Sequence, residues 1–177
     1  MTIEQTSDVA AVPSSVDTRS HLRSFVLPSF GTVLQPATIL LLTRWQPAPL
    51  PLWRGVLGGA VLLAGLSLFA WTVRLFDRVG KGTLAYWKPP SRLVVVGPYA
   101  HVRNPMICGV VTIILGEAAL FGSWWLAGWA ALFLTINHIR YERSDEPKLA
   151  ARFGAEYEEY RRNVPRWIPR IRPWISR

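Results

Sequence analysis

The run GVLGGAVLLAGLSLFAWTV, residues 55–73, contains 19 consecutive residues without a charged side chain. A helix needs about 20 predominantly apolar residues to cross the hydrocarbon core of a bilayer. Gly55 and Gly59 have the spacing of a GxxxG pair, which lets a second helix approach closely. This stretch therefore predicts a transmembrane helix, and it favours a membrane fold over a water-soluble one.

Three more apolar runs complete the predicted fold. Residues 25–43 are again 19 residues without a charge, and a membrane helix tolerates Pro28 and Pro36 where neighbours satisfy the freed carbonyl groups. Residues 106–121 and 124–139 are separated by a Gly-Ser turn and predict a tight helical hairpin. The sequence thus predicts an all-α integral membrane protein with about four transmembrane helices, including this C-terminal hairpin.

Length and composition fit a single membrane domain. The chain has 177 residues, of which 50% are hydrophobic and only 18% are charged, whereas about a quarter are charged in typical globular proteins. Residues 1–20 show neither helical nor strand periodicity and predict a disordered tail, so residues 21–177 form the predicted domain. Cys108 is the only cysteine. A single cysteine is too few for an intrachain disulfide or a thiolate-rich metal centre, and no metal site is predicted.

The distribution of basic residues predicts the orientation. Of the 20 Lys and Arg residues, two precede the first span, two follow it, six lie between the second and third spans, and ten follow the fourth. The positive-inside rule then places both termini and the polar loop 74–105 in the cytoplasm. Topology and contact with anionic lipid explain the net charge of +9, so no nucleic-acid partner is predicted.

Several residues are expected to have structural rather than catalytic or binding roles. We expect Glu117 to cap the distal end of the hairpin in water and Cys108 to be a small core residue. The tryptophans are expected in the interfacial belt. These are Trp87, Trp124, Trp125, Trp129, Trp167 and Trp174.

The polar loop and the C-terminal tail meet on one face in this topology. A site between them opens to water and to lipid, which suits a charged cofactor and an apolar substrate. His138, Glu142 and Glu146 recur every four residues and predict a polar stripe on a continuing helix. The alternative is that His138 holds helices together while Glu142 is solvated.

After the fourth span the chain is predicted to form an amphipathic helix that ends before Pro165. Its apolar positions are Leu149, Phe153, Tyr157 and Tyr160. The run VPRWIP, residues 164–169, is stiffened by its prolines. We expect it to fold back over the site as a wall.

Two stretches carry a resemblance to a known family: GPYAHVRNPMICG, residues 97–109, and DEPKLAARFGAEYEEYRRNVPRWIPR, residues 145–170. They resemble the isoprenylcysteine carboxyl methyltransferases and their relatives, the phospholipid N-methyltransferases. That pattern is Arg-His/Asn-Pro-x-Tyr-x-Gly, a hydrophobic hairpin, and a pair of acids before Leu-x3-Phe-Gly-x2-Tyr-x2-Tyr. GKGTLAYWKPPSRLVVVGPY, residues 80–99, is similar too, so the resemblance covers half of the chain.

The resemblance implies a methyltransferase that binds S-adenosylmethionine (SAM) at the cytoplasmic face. The residues that it implies for the cofactor are Arg103, Asn104, Pro105, Gly109, Asp145 and Glu146. His101 and His138 complete our predicted cofactor-binding set, although His101 is expected to be a loop hydrogen-bonder rather than a base. The sequence departs from the pattern at Ile107, where the family has Tyr, and in its Asp-Glu acid pair. Neither departure removes a charge.

Without the family resemblance, the sequence allows two interpretations of Arg103. It suits the carboxylate of the cofactor, as Glu146 suits the ammonium group. A lone Arg at a membrane edge is also a common positive-inside anchor.

The predicted acceptor is a lipid or prenylated molecule. A prenylcysteine-like carboxylate is the first expectation, because it is ionised at neutral pH and needs only a cation, for which Arg166 and Arg170 are candidates. A phospholipid amine needs a base such as His101 or Glu142, and a small thiol is a further alternative. Outside methyl transfer, the alternatives are a non-catalytic scaffold and a reductase-like relative using a nicotinamide cofactor, whose phosphates the acid pair would repel.

Overall fold

The computed structural model describes residues 30–46, 49–80 and 93–175. The predicted N-terminal tail, the start of the first predicted span and Trp87 lie outside the described residues. Every regular element in the described part of the chain is helical, as the all-α prediction requires.

The helices follow the order of the predicted spans. We number them α1 (Gln35–Leu42), α2 (Leu52–Gly80), α3 (Pro105–Phe121), α4 (Trp124–Arg140), α5 (Glu146–Phe153) and α6 (Ala155–Asn163). A π-helical turn, Phe30–Leu34, leads into α1, and a second one, Tyr141–Asp145, joins α4 to α5. A short 3-10 helix, Gly97–Ala100, precedes α3.

Helix α2 is longer than the apolar run that predicted it. The polar loop was expected to begin at Arg74, but the helix continues to Gly80. Loss of hydropathy marks where a span leaves the hydrocarbon and does not require the helix to end there. At 1.5 Å per residue, 29 helical residues measure about 43 Å, well beyond a hydrocarbon core of about 30 Å.

Exposure distinguishes α2 from the core helix of a water-soluble protein. Its segment Leu52–Leu75 has a mean hydropathy of 2.0, yet only 17% of its most apolar window is buried. It is the one described helix long and apolar enough to cross a membrane, and the shorter apolar segments are Phe30–Leu42 and Pro105–Phe121. An apolar and outward-facing surface of this kind is typical of contact with lipid. The four-span topology stays a prediction.

Glycines set the contact between α2 and α3, which run antiparallel. A Cβ on Gly65 would lie 2.7 Å from the backbone nitrogen of Ile113, and one on Gly116 would lie 2.6 Å from that of Leu62. The predicted Gly55 and Gly59 pair is not this contact, because a Cβ on Gly59 would meet no atom of the described residues within 4 Å. Close helix packing at glycines is present, but the prediction that Gly55 and Gly59 provide it was wrong.

Helices α3 and α4 form the predicted hairpin. Gly122 closes α3 with φ of 62°, a left-handed conformation that favours glycine. Helix α1 packs against α4, where the Trp129 indole donates to the Gly31 carbonyl at 3.1 Å. At the hairpin turn, the Trp45 indole donates to the Phe121 carbonyl at 2.8 Å.

Glu117 differs from its expectation. It is half-buried rather than solvated, and its Oε2 has no hydrogen-bond partner among the described residues. The hairpin turn lies more than a full helical turn beyond it, so the carboxylate does not reach the helix end.

The chain beyond α4 is not one continuous amphipathic helix. Pro147 has no N–H to donate and its ring crowds the preceding turn, so the helix widens and Glu146 N–H bonds the Tyr141 carbonyl five residues back. Gly154, with φ of 53°, separates α5 from α6. The predicted apolar face is present all the same: Tyr157, Tyr160 and Val164 form a small core against Leu149, Phe153 and Trp174.

Candidate functional site

Residues 164–175, which we call the C-terminal strap, lie against the loop that precedes α3. The Arg103 N–H donates to the Pro165 carbonyl at 2.8 Å, and the Trp174 N–H donates to the Ala100 carbonyl at 2.9 Å. Between them, the Arg170 N–H donates to the His101 carbonyl at 3.0 Å. The strap thereby forms a wall beside the loop, in the position that its proline-fixed sequence predicted.

Glu146 lies at the centre of an ionic cluster built from three separate parts of the chain. Arg103, from the loop before α3, donates through Nη1 to Glu146 Oε1 at 2.7 Å. Arg166, from the strap, donates through Nε to Oε1 at 2.8 Å and through Nη2 to Oε2 at 2.9 Å. The Glu146 side chain is only 6% exposed, so these contacts take the place of water around a buried charge.

Two arginines and one buried carboxylate form the centre of the cluster. Two guanidinium groups share the Glu146 carboxylate, and the hydrogen bonds that Arg166 donates to Glu146 raise the pKa of the Arg166 guanidinium. Buried charges are costly unless they are paired. Glu142 is a further negative charge near Arg166 and also raises the pKa of its guanidinium.

His138 joins the cluster through its Nδ1 atom. The Trp167 indole donates to Nδ1 at 3.0 Å, and Arg166 Nη1 lies 3.2 Å from the same atom. Since both neighbours are donors, Nδ1 is an acceptor and the ring hydrogen of a neutral His138 is on Nε2. Nε2 lies 3.7 Å from Glu142 Oε2. The predicted stripe of His138, Glu142 and Glu146 is thus held together partly by Arg166.

Two donors beside the cluster have no partner among the described residues. They are Nδ2 of Asn104, a residue that is 2% exposed, and Nε of Arg103. Unpaired buried donors cost free energy and are uncommon in native proteins. Two such donors on adjacent residues suit an acceptor such as a bound carboxylate.

Other predicted cofactor residues have different surroundings. Asp145 pairs with Arg140 at 3.2 Å, so the two members of the acid pair point to different partners. A Cβ on Gly109 would lie 3.0 Å from the Phe69 backbone nitrogen, which makes this glycine a helix contact. Pro105 is buried at the first position of α3, where its missing N–H costs nothing.

The remaining candidates lie at the edge of the site. His101 Nδ1 is 2.8 Å from the Arg170 carbonyl oxygen, in keeping with a loop hydrogen-bonder, and must carry the hydrogen because a carbonyl only accepts. Arg170 Nη1 donates to the Asn163 carbonyl at 2.7 Å, so this side chain is not part of the cluster. Glu142 is 61% exposed and is open to solvent.

The sequence interpretation predicted a buried Trp167 within the wall formed by residues 164–169 but missed its hydrogen-bond partner. Trp167 was also assigned to the interfacial belt, but its indole N–H binds His138 and its ring contacts Tyr141. Trp174 likewise packs on Tyr160. Trp124 and Trp125, at 88% and 69% exposed, remain belt candidates. The signal available in the sequence was the pair of prolines around Arg166 and Trp167, which marked a fixed segment but not its partners.

Comparisons with known proteins agree with the resemblance. The phospholipid methyltransferase family model matches residues 53–156. Methanethiol S-methyltransferase 2 of Bradyrhizobium diazoefficiens is 27% identical over 149 residues, which are 75% of this chain and 55% of that protein. The chain thus spans about half the length of this relative.

Two further relatives have different names. Nickel-cobalt-cadmium resistance protein NccN of Alcaligenes xylosoxydans is 26% identical over 162 residues, 91% of this chain and 71% of that protein. Protein-S-isoprenylcysteine O-methyltransferase of Schizosaccharomyces pombe is 35% identical over 79 residues, 45% of this chain and 34% of its own length.

The family match covers more than half of the chain, from the membrane-span candidate through α5. It includes Arg103 and Glu146, whereas Arg166 lies beyond its last residue. The chain belongs to the phospholipid methyltransferase family of membrane methyltransferases.

Proposed function

We propose that this chain transfers a methyl group from SAM to an amphiphilic acceptor at a membrane surface. The observation that carries the proposal is the contact of Arg103 with Glu146, 43 positions apart in sequence and 2.7 Å apart in space. Both residues belong to the motifs that imply SAM binding in the resembling family. When bound, SAM supplies a methyl group on a positively charged sulfur, which makes that carbon open to attack by a nucleophile.

The described residues fit the amino-acid end of this cofactor. Arg103 and Asn104 hold unpaired buried donors for its carboxylate, and Glu146 is the buried acid for its ammonium group. Arg166 then holds Glu146 in place through two hydrogen bonds. The chemistry depends chiefly on alignment and exclusion of water, so few acid or base groups are required.

The acceptor that we propose first is a prenylcysteine-like carboxylate. His138 has its Nδ1 engaged by two donors, so a free base is lacking at this point of the cluster. A carboxylate is already ionised near neutral pH, whereas an amine must first lose a proton. Arg166 is bound to Glu146 on two of its nitrogens, so its predicted role of acceptor cation requires that this pairing loosen.

A small thiol is the second candidate, and the observation that favours it is the match to methanethiol S-methyltransferase 2 over 75% of the chain. A simple alkyl thiol is less acidic than a cysteine thiol, whose pKa is about 8.5, so like an amine it must lose a proton for transfer to occur near neutral pH.

Cofactor class is tested by calorimetry of the purified full-length protein with SAM, its demethylated product and NADPH. We expect both sulfur compounds to bind and NADPH not to bind. Binding of NADPH alone would favour the reductase alternative, and binding of none would favour a scaffold.

Acceptor class is tested with radiolabelled SAM and three series of acceptors: prenylcysteines, phosphatidylethanolamines and alkyl thiols, each shortened stepwise. Each buried methylene contributes about 0.8 kcal/mol, so long-chain carboxylates should react much faster than short ones if they enter from lipid. Equal rates for the shortest and longest members, or turnover of thiols alone, would contradict the first candidate.

A further inference from the structure

The C-terminal strap exposes an unusual set of side chains. Ile168, Ile171 and Ile175 are 80%, 96% and 79% exposed. Large apolar side chains at this density within eight residues mark an interaction surface rather than scattered surface residues. Backbone hydrogen bonds to Ala100 and His101 hold the strap in place, so the isoleucines project from a fixed support.

The charged residues next to these isoleucines in the sequence are arginines, of which Arg161 pairs with Glu158 and Arg166 with Glu146. Residues 161–175 contain five arginines and no acidic residue. Arg172 is exposed within the strap, and Arg161 and Arg162 are exposed in the last turn of α6. Apolar side chains flanked by arginines complement a surface that offers hydrocarbon beneath negative charge.

The contacts of the strap indicate its position along the membrane normal. Gly97 lies against α2. A Cβ on Gly97 would lie 3.2 Å from the Leu75 side chain and 3.6 Å from the Trp71 side chain. Leu75 is the last residue of the apolar segment that is long enough to span a membrane. Ala100 and His101, which hold the strap, follow within four residues. The strap therefore lies level with the end of this segment, where hydrocarbon gives way to lipid headgroups.

We propose that the C-terminal strap is an interfacial anchor, whose isoleucines enter the anionic leaflet while the neighbouring arginines contact its phosphates. This contact does not depend on methyl transfer. The strap that it would anchor also carries Arg166 and Trp167, which bind Glu146 and His138.

The test is depth-dependent fluorescence on the full-length chain in nanodiscs. Because Cys108 is the only cysteine, a Cys108→Ala background allows one environment-sensitive label at Ile171→Cys. The matched control is Glu159→Cys, an exposed polar position on α6. The nanodiscs contain phosphatidylcholine, with or without phosphatidylglycerol. Brominated lipid in the discs quenches a label inside the membrane, and iodide in solution quenches a label exposed to water.

We expect brominated lipid to quench the label at position 171 severalfold more than the label at 159, with the reverse order for iodide. Phosphatidylglycerol should increase the difference, and Arg172→Gln should reduce that increase. Equal iodide access at both positions would overturn the proposal. Protection from iodide without quenching by lipid would overturn it as well, because a protein surface would then cover the strap. Ile168→Cys repeats the measurement if the first variant does not fold.

Discussion

Glu146 shows how one carboxylate can organise a site. Removing the charge of a buried, hydrogen-bonded acid leaves its partners without compensation, and here those partners are two guanidinium groups. Its loss should therefore affect both ligand binding and the stability of the fold.

We predict that Glu146→Gln and Arg103→Ala each weaken SAM binding. A hydrogen bond to a charged group contributes about 1.5–3 kcal/mol, so the dissociation constant should rise about tenfold or more. Calorimetry measures the change, with Glu158→Gln and Arg161→Ala, an exposed pair at 2.9 Å, as matched controls. Unchanged binding in folded variants would show that the buried pair has only a structural role.

Tyr160 provides a test at alkaline pH. Its hydroxyl donates to the Tyr99 carbonyl at 2.7 Å, and burial raises the pKa of this hydroxyl above its ordinary value. The folded state therefore holds the proton more tightly than the unfolded state. This contribution to stability is fully present below about pH 10, the pKa of an unfolded tyrosine, and is lost as the pH rises above it.

We predict that Tyr160→Phe lowers the free energy of unfolding by about 1 kcal/mol near neutral pH and makes its decline above about pH 10 less steep. Denaturation in detergent at a series of pH values measures both effects. A decline as steep as that of the unsubstituted protein would mean that other groups govern alkaline unfolding.

At the residue scale, the sequence indicated which side chains bear charge near the site but not how they pair. Arg103 and Glu146 were predicted because they stand in recognisable motifs. The bidentate contact of Arg166 and the indole bond of Trp167 were not, since both depend on how the strap lies on the loop.

Among the elements, α2 and α3 depend on the glycines at their contact. A Cβ on Gly116 would lie 2.6 Å from the backbone nitrogen of Leu62, whereas one on Gly59 would meet none of the described residues within 4 Å. We predict that Gly116→Ala destabilises the protein by about 1–3 kcal/mol, as overpacked sites do, and that Gly59→Ala does not. Thermal unfolding in detergent compares the two. Equal stability of the variants would show that the helices do not pack as closely as described.

Apolar runs predicted α3 and α4 to within a residue or so at each end, because the hairpin is bounded by glycine and proline. The far end of α2 and the π-helical turn before α5 were missed. Hydropathy does not show whether a helix continues beyond the hydrocarbon into water. The effect of Pro147 on the preceding turn depends on backbone hydrogen bonds rather than on side-chain pattern.

For the whole molecule, we predict that both termini and the polar loop lie on the cytoplasmic side. In a Cys108→Ala background, a cysteine in place of Lys81 or Arg161 should react with an impermeant reagent from that side only. A cysteine in place of Trp124, which is exposed at the hairpin turn, should react from the other side. Labelling of positions 81 and 161 from opposite sides would contradict the topology.

The order in which the cluster residues are synthesised has a consequence for biogenesis. Arg103 precedes the hairpin, Glu146 follows it, and Arg166 is translated another twenty positions later. A nascent chain therefore has both hairpin helices before the bidentate partner of its buried acid exists. Until the strap folds back, Arg103 is the arginine available to pair with Glu146, so the bidentate contact forms after that pair. A chain truncated between these two positions would have the whole hairpin sequence but lack the bidentate partner of its buried acid.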